Sequence, residues 1–304
     1  MNEFELIRLL TAGLPSNDFT ILGAGDDCAV LDLGIPGRWL LFKTDAVVEG
    51  VHYTAETEPE KVGRKALARC LSDVAAMAGK PVAALVTLGL PRENDPKWAQ
   101  AVYAGMSELA RRHGVAIVGG ETTAVPERTL LSVALLGTVD RSACVKRSGA
   151  VAGDAIFVTG ELGGSLEGKH LNFEPRIEQG QWLAAHFSMH SMIDISDGLA
   201  GDLRHITHSS GVGAELLAKA IPVSDAARKG SKPPMQAALE DGEDFELLFT
   251  VPPHEAVALL DAWKLRFPGL KLSCIGKITK NPGFVLHEGN RTRDIQEHGY
   301  THFA

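Results

Sequence analysis

The chain has 304 residues, 45% hydrophobic and 22% charged, with a formal net charge of −8. That length supports two compact domains, and an acidic surplus without clustered Lys and Arg argues against a nucleic-acid partner. The apolar runs at 82–90 and 130–139 are too short to cross a membrane, and Met1-Asn2-Glu3-Phe4-Glu5 lacks the features of a signal peptide, so a cytoplasmic protein without a membrane partner is expected.

In chain order, strands are predicted over residues 28–33, 39–45, 82–90, 115–118 and 130–139, with helices over 59–78 and 96–113 between them. Pro81 and Pro91 punctuate the ends of the third strand. The turn-rich segment 148–154 marks a joint. Beyond it, strands are predicted over 155–159, 192–196, 245–251 and 272–278, and helices over 177–186, 199–208 and 253–267, with Gly211 as a helix stop and 231–234 as a loop. The expected fold class is α/β (α+β), divided into domains 1–145 and 146–304. Cys28, Cys70, Cys144 and Cys274 are scattered and read as reduced, small buried hydrophobes.

Six segments place acids where chemistry is plausible. Asp26 and Asp27 follow Gly25, where glycine permits close approach and paired carboxylates suit hard cations, though such a segment is more often a plain turn. Asp45 ends the apolar run 39–45, beside Lys43 and Thr44, where a simple strand-ending acid is equally compatible. On the helix from Pro59, residues Val62, Ala66, Cys70, Asp73 and Met77 share one face, so Asp73 interrupts an apolar stripe. A buried carboxylate there needs a partner, a cation or a structural hydrogen bond. Gly119-Gly120-Glu121-Thr122-Thr123 directly follows a predicted strand and reads either as a ligand turn or as the start of a loop. Asp194-Ile195-Ser196-Asp197-Gly198 lies at a strand-to-helix switch, where Asp197 has the alternative role of helix cap. Gly242-Glu243-Asp244-Phe245-Glu246 opens a strand and by itself suits a solvated loop.

If these acids converge, they repel one another unless cations neutralise them, and oxygen ligands of this kind select magnesium or manganese. The chain has no Gly-x-x-x-x-Gly-Lys-Ser/Thr loop, no His-Glu-x-x-His and no Gly-x-Ser-x-Gly elbow. His52 stands near the Asp45 segment, and His170 reads as a structural or surface residue.

Together and in this order, these segments resemble the thiamine-monophosphate kinase family, within the aminoimidazole-ribonucleotide-synthetase-like superfamily. The resemblance includes Thr44-Asp45 with His52, Leu71-Ser72-Asp73, Arg147-Ser148-Gly149-Ala150 and Gly299-Tyr300-Thr301-His302-Phe303. It implies a two-domain synthetase-like fold and a homodimer whose amino-terminal mixed sheets join into a barrel, with a carboxy-terminal α/β sandwich and the active site by the joint. It implies magnesium on Asp27, Thr44, Asp45, Asp73, Glu121, Asp194 and Asp197, and ATP as co-substrate on Gly120, Glu121, Arg147 and Ser196. It implies thiamine monophosphate on His52, Glu243 and Tyr300, with Asp45, Asp197 and Arg147 serving the transfer itself. Three departures stand out. The family usually has Asp at Glu121 and a small polar residue at Lys43, and the segment between Gly160 and His170 is short. The alternatives are a sibling ATP-dependent synthetase, disfavoured because residues 43–50 lack its Gly-Thr-Asp-Gly-Val-Gly-Thr-Lys loop, and a non-catalytic nucleotide- or thiamine-binding homologue.

Overall fold

The computed structural model describes residues 3–93 and 95–295. Helix α1 (Glu3–Thr11) precedes short strands β1 (Thr20–Leu22) and β2 (Ala29–Leu31) and the long β3 (Arg38–Val48). Helix α2 (Pro59–Ala76), β4 (Lys80–Pro91), α3 (Pro96–His113), β5 (Ala116–Val125) and β6 (Leu130–Asp140) follow. These strands form a six-stranded sheet in the order β1-β2-β3-β6-β4-β5, antiparallel except for the parallel pair β4/β5. Within one chain this sheet is open.

The sequence sets these elements locally. Asp95 caps α3 by accepting from the Lys97 amide, Pro96 sits in the first turn, and Gly114 ends the helix in the left-handed region. Along β6, Leu131, Val133, Leu135 and Val139 are buried while the residues between them are half-exposed, the alternation of a sheet with one covered face. Helices α2 and α3 cover that face. The opposite face leaves Phe42, Val82, Leu85 and Val118 exposed.

The second half begins with β7 (Ala155–Thr159), the short helix α4 (Lys169–Asn172), α5 (Ile177–His186) and β8 (Ser191–Asp194). It continues with α6 (Leu199–Ser210), β9 (Gly213–Leu217), α7 (Asp225–Lys229), α8 (Pro234–Glu240) and β10 (Leu247–Val251). Helix α9 (Ala256–Arg266) and strands β11 (Leu272–Thr279), β12 (Phe284–Glu288) and β13 (Arg291–Asp294) close the described chain. The seven-stranded sheet runs β13-β12-β9-β11-β7-β10-β8, antiparallel except for β9/β12. Every residue of β7, β8 and β10 is buried, so this sheet is covered on both faces. One face shares a core with the first sheet through Phe157, Met192, Phe249 and Trp263. The other packs Ile156, Val158, Ile193 and Leu248 against α6, α7 and α8.

Helix α2 is the pillar between the halves. Most of its residues are buried, because it touches β3, β6, α3, α4, α5 and β8. Several predictions sharpen here. Strand β3 continues to Val48, so Asp45 lies inside a strand opposite Val133 and not at its end. Strand β5 runs on through Gly119-Gly120-Glu121, which is therefore sheet edge and not a turn. A bulge at Val118, where the pairing steps from Ala84–Ile117 to Leu85–Gly119, lets it continue. The short segment after Gly160 holds a single-turn helix at Ser165–Glu167 and then α4. Gly211 ends α6 in the left-handed region, as expected.

Candidate active site

Carboxylates from three elements meet between the halves. Asp27 stands just before β2, Asp73 is on α2 and Asp194 ends β8. All three are buried, and each offers an oxygen within 4.8 Å of the others. Each is held by a polar neighbour. Arg147 reaches Asp27 Oδ1 with Nη2 at 2.6 Å and Nε at 3.2 Å, and its own amide donates to Asp26. Lys43 Nζ lies 2.7 Å from Asp73 Oδ1, and Ser72 Oγ donates to Asp194 Oδ2 at 2.6 Å. Among the described residues, Asp27 Oδ2 is buried without a hydrogen-bond partner.

The electrostatics are those of crowded acids. Burial, reinforced by the charge of Asp27, pushes Asp194 up to about 7 and Asp26 up to about 6. Burial disfavours the charge on Lys43, yet the Asp73 and Asp45 carboxylates hold its ammonium protonated well above the usual lysine range. The same burial pushes Asp73 toward protonation. At 2.7 Å the Lys43–Asp73 contact has the length of an ammonium–carboxylate pair, so the ionised pair is the better description.

Beside this group, Arg69 forks onto Asp45, with Nε 3.0 Å from Oδ2 and Nη2 3.2 Å from Oδ1. Next along α2, Lys65 is fully buried and donates to the His52 carbonyl at 2.6 Å and Glu243 Oε2 at 2.7 Å, with His170 Nδ1 also 2.7 Å away. His52 Nδ1 accepts the Val48 amide. Glu243 is ionised. Burial opposes its charge, but the His170 hydrogen bond and the Lys65 and Arg69 charges bring its carboxyl down to about 2. The two partners of the Lys65–Glu243 pair pull in different directions, since burial lowers Lys65 to about 8. The amine alone is completely enclosed and bears the desolvation, while the carboxylate collects from several donors. At neutral pH both are charged. Glu243 and Phe245 hold φ of 66° and 50°, a strained loop of the kind that persists where neighbours over-determine it. Asp244 and Glu246 fix that loop from behind. Asp244 accepts from the Gly163 amide and Ser165 Oγ, and Glu246 accepts from Thr159 Oγ1 and Arg176.

Asp197 does not cap α6. The cap position is Gly198, and Asp202 in the first helical turn accepts the amides of Ser196 and Asp197, each at 3.0 Å. Asp197, Asp202 and His205 form a second group of candidate ligands. Burial lowers His205 to about 4, with Arg147 adding to the fall.

Two expected ligands stand apart within one chain. Thr44 points to the opposite face of the first sheet, 3.3 Å from Ser132 Oγ. Glu121 and Gly120 are exposed on β5, three strands from β3 and thus about 14 Å away at ordinary strand spacing. Tyr300 lies outside the described residues. Lys65, Arg69 and Asp202 were not singled out from the sequence, Ser72 was given no role there, and His170 is a buried partner of Lys65. The available signal was the spacing Lys65, Arg69, Asp73, four residues apart, a polar stripe on a helix otherwise buried.

Residues 25–139 match the family described as AIR synthase related protein, N-terminal domain, and residues 155–288 match its C-terminal domain. Fold and carboxylate cluster thus belong to an AIR-synthase-related protein. A thiamine-monophosphate kinase of Rhodopirellula baltica is 39% identical over 274 residues, covering 86% of this chain and 84% of the relative. That of Escherichia coli K12 is 34% identical, covering 99% and 98%. A solved structure described as AaThiL complexed with AMPPCP and TMP superposes with a TM-score of 0.84 at 31% identity, covering 99% of this chain and 97% of that one. The chain belongs to the thiamine-monophosphate kinase family.

Proposed function

We propose that the chain is a kinase that transfers the γ-phosphoryl of ATP to the phosphate of thiamine monophosphate, giving thiamine diphosphate and ADP. The bond from the γ-phosphorus to the β-bridging oxygen breaks as a bond to the acceptor oxygen forms. The observation that carries this reading is the cluster of Asp27, Asp73 and Asp194 in a chain of this family, with one buried carboxylate oxygen left without a partner. Such an oxygen on a hard, crowded donor set fits magnesium. We read Asp27 and Asp194 as its holders, with Asp73, Asp45 and Asp197 around them. Bound there, the ion supplies charge neutralisation between two anionic phosphates.

The protein's own groups do the rest. A phosphate monoester has a second pKa of about 6, so the acceptor is already nucleophilic near neutral pH and needs no general base. Arg147, anchored by Asp26 and Asp27, supplies a fixed positive charge facing the transferred group. Ser196, in the turn tied to Asp202, serves the nucleotide. His52 and Glu243, pinned together by Lys65, offer a rigid acceptor edge for the thiamine part, and Tyr300 is assigned to the same end. We read residues 1–145 as the nucleotide, magnesium and dimerisation domain and 146–304 as the carboxy-terminal domain of a cytoplasmic homodimer. The exposed face bearing Phe42, Leu85 and Val118 supports dimerisation through the first sheet, which would set Gly120 and Glu121 on the β5 edge at the joint.

The test is thiamine diphosphate formation from ATP and thiamine monophosphate with magnesium. Product that disappears on chelation and in Asp27→Asn is expected. Ligand-induced thermal stabilisation without any turnover would instead identify a binding homologue.

A further inference from the structure

Resting on that phosphotransfer reading, we propose that Arg69 and Lys43 are resident cations that take the place of divalent ions at Asp45 and Asp73, leaving Asp27 and Asp194 as the open side of the cluster. Arg69 engages both oxygens of Asp45 at 3.0 and 3.2 Å, the paired fork that a guanidinium makes with a carboxylate. A metal at Asp45 would have to displace that fork. The guanidinium also lies 3.7 Å from Glu243 Oε1 and is only 14% exposed, so it is enclosed between two acids rather than resting on the surface.

Lys43 repeats the pattern at Asp73, with Nζ 2.7 Å from Oδ1 and 23% of its side chain exposed. Magnesium binds carboxylate oxygen at about 2.0–2.1 Å in strict octahedral geometry. An ion on that same oxygen would meet the ammonium at close quarters, like charge against like charge in a poorly solvated space. Asp27 and Asp194 differ. Among the described residues, Asp27 Oδ2 has no partner and Asp194 Oδ2 receives one neutral hydroxyl.

Both basic residues stand on elements that do not yield easily. Lys43 and Asp45 share one face of β3, which pairs along its whole length with β6, and Arg69 is on α2, most of which is buried. Lys43, Arg69 and Arg147 give three fixed positive charges among the acids, so part of the neutralisation is written into the chain itself.

The test is a manganese titration of the full chain, counting bound ions by the paramagnetic resonance of free Mn²⁺, with and without a non-hydrolysable ATP analogue. Wild type is compared with Arg69→Met and Lys43→Met. Each variant is expected to bind one more Mn²⁺ per chain than wild type, and to gain a manganese-dependent rise in thermal midpoint that wild type lacks. Adding Asp45→Asn to the first, or Asp73→Asn to the second, should abolish the gain. Unchanged stoichiometry and affinity in both single variants would overturn the proposal, as would a gain that survives loss of the acid. Arg69→Gln and Lys43→Ser replace any methionine variant that does not fold and are read the same way. Wild-type product formation reports separately on the kinase reading: an active wild type with no gain of ions in the variants refutes only the resident cations.

Discussion

Helix α2 carries Lys65, Arg69, Ser72 and Asp73, and glycine sets how closely it approaches its neighbours. A methyl carbon built on Gly63 would lie 1.9 Å from the Val102 carbonyl oxygen of α3, and one on Gly105 would lie 2.0 Å from the Glu60 carbonyl oxygen of α2. Comfortable contacts between such atoms are roughly 3.5 Å, so Gly63→Ala forces the helices apart by more than about 1 Å. Retreat is blocked on the α5 side, where a methyl on Gly180 would stand 2.3 Å from the Ala75 carbonyl oxygen. Two effects compete. Alanine is favoured over glycine inside a helix by about 1 kcal/mol, while overpacking costs about 1–3 kcal/mol and more when the obstacle is backbone. The clash wins, and a net loss of about 2 kcal/mol is expected in urea unfolding at unchanged m-value. The displaced helix also carries the site, and a 1 Å misplacement costs on the order of 100-fold in rate. Steady-state kcat/KM for thiamine diphosphate formation should fall accordingly. A Gly63→Ala protein at least as stable as wild type, with unchanged kcat/KM, would refute this account of the crossing.

Lys65→Met tests the buried tie to Glu243. That carboxyl sits at about 2 against an ordinary 4.5, so its contribution is fully present above pH 4.5 and disappears as pH falls through 2. The whole shift is worth about 3 kcal/mol, shared with His170 and Arg69. The variant's acid-unfolding midpoint, followed by circular dichroism from pH 6 to 2, should therefore move to higher pH, and coincident curves would show the pair to be without weight. Ser72→Ala removes the hydroxyl that donates to Asp194 and should cost about 1–3 kcal/mol without magnesium, partly restored when magnesium is added. Equal losses with and without the ion would count against Asp194 as a ligand. Phe42→Glu places a charge on the exposed face of the first sheet and should turn a dimer into a monomer in size-exclusion chromatography. An unchanged elution volume would place the dimer contact elsewhere.

Much of the fold was legible because its long elements are strongly periodic. Strands β3, β4 and β6 and helices α2 and α3 bury alternating or stripe-forming apolar residues, and Pro96 and Gly114 punctuate α3. Buried short strands such as β7, β8 and β10 were legible as apolar runs, but other short pieces were not. Strands β9, β12 and β13 have 4 or 5 residues, and β13 is exposed throughout, so no hydrophobic pattern marks it. Glycine misled at 119–120: a Gly-Gly pair usually ends a strand, but here a bulge at Val118 lets β5 stay paired with β4. A methyl on Gly120 would strike the Val86 carbonyl oxygen at 1.8 Å, so close strand approach is what requires the residue.

The site shows a sharper limit of the same kind. Asp73 was visible as an acid on an apolar face, yet nothing near it in sequence reveals that Lys43, 30 residues earlier, supplies its counter-charge. Lys65 is harder still: an ammonium on a helix normally signals a solvated face, but its partners His170 and Glu243 lie 105 and 178 residues further on. A fully buried lysine is tolerable only because those distant groups converge on it. Asp27, Asp73 and Asp194 follow the same logic. None can be buried for its own sake, since each raises the cost of ionising the others, and Lys43, Arg147 and Ser72 satisfy only some of their oxygens. The fold holds together a group of acids that its own charges do not fully compensate, and on the proposed reading that uncompensated negative charge would make the pocket a receptor for cations and, through them, for phosphates.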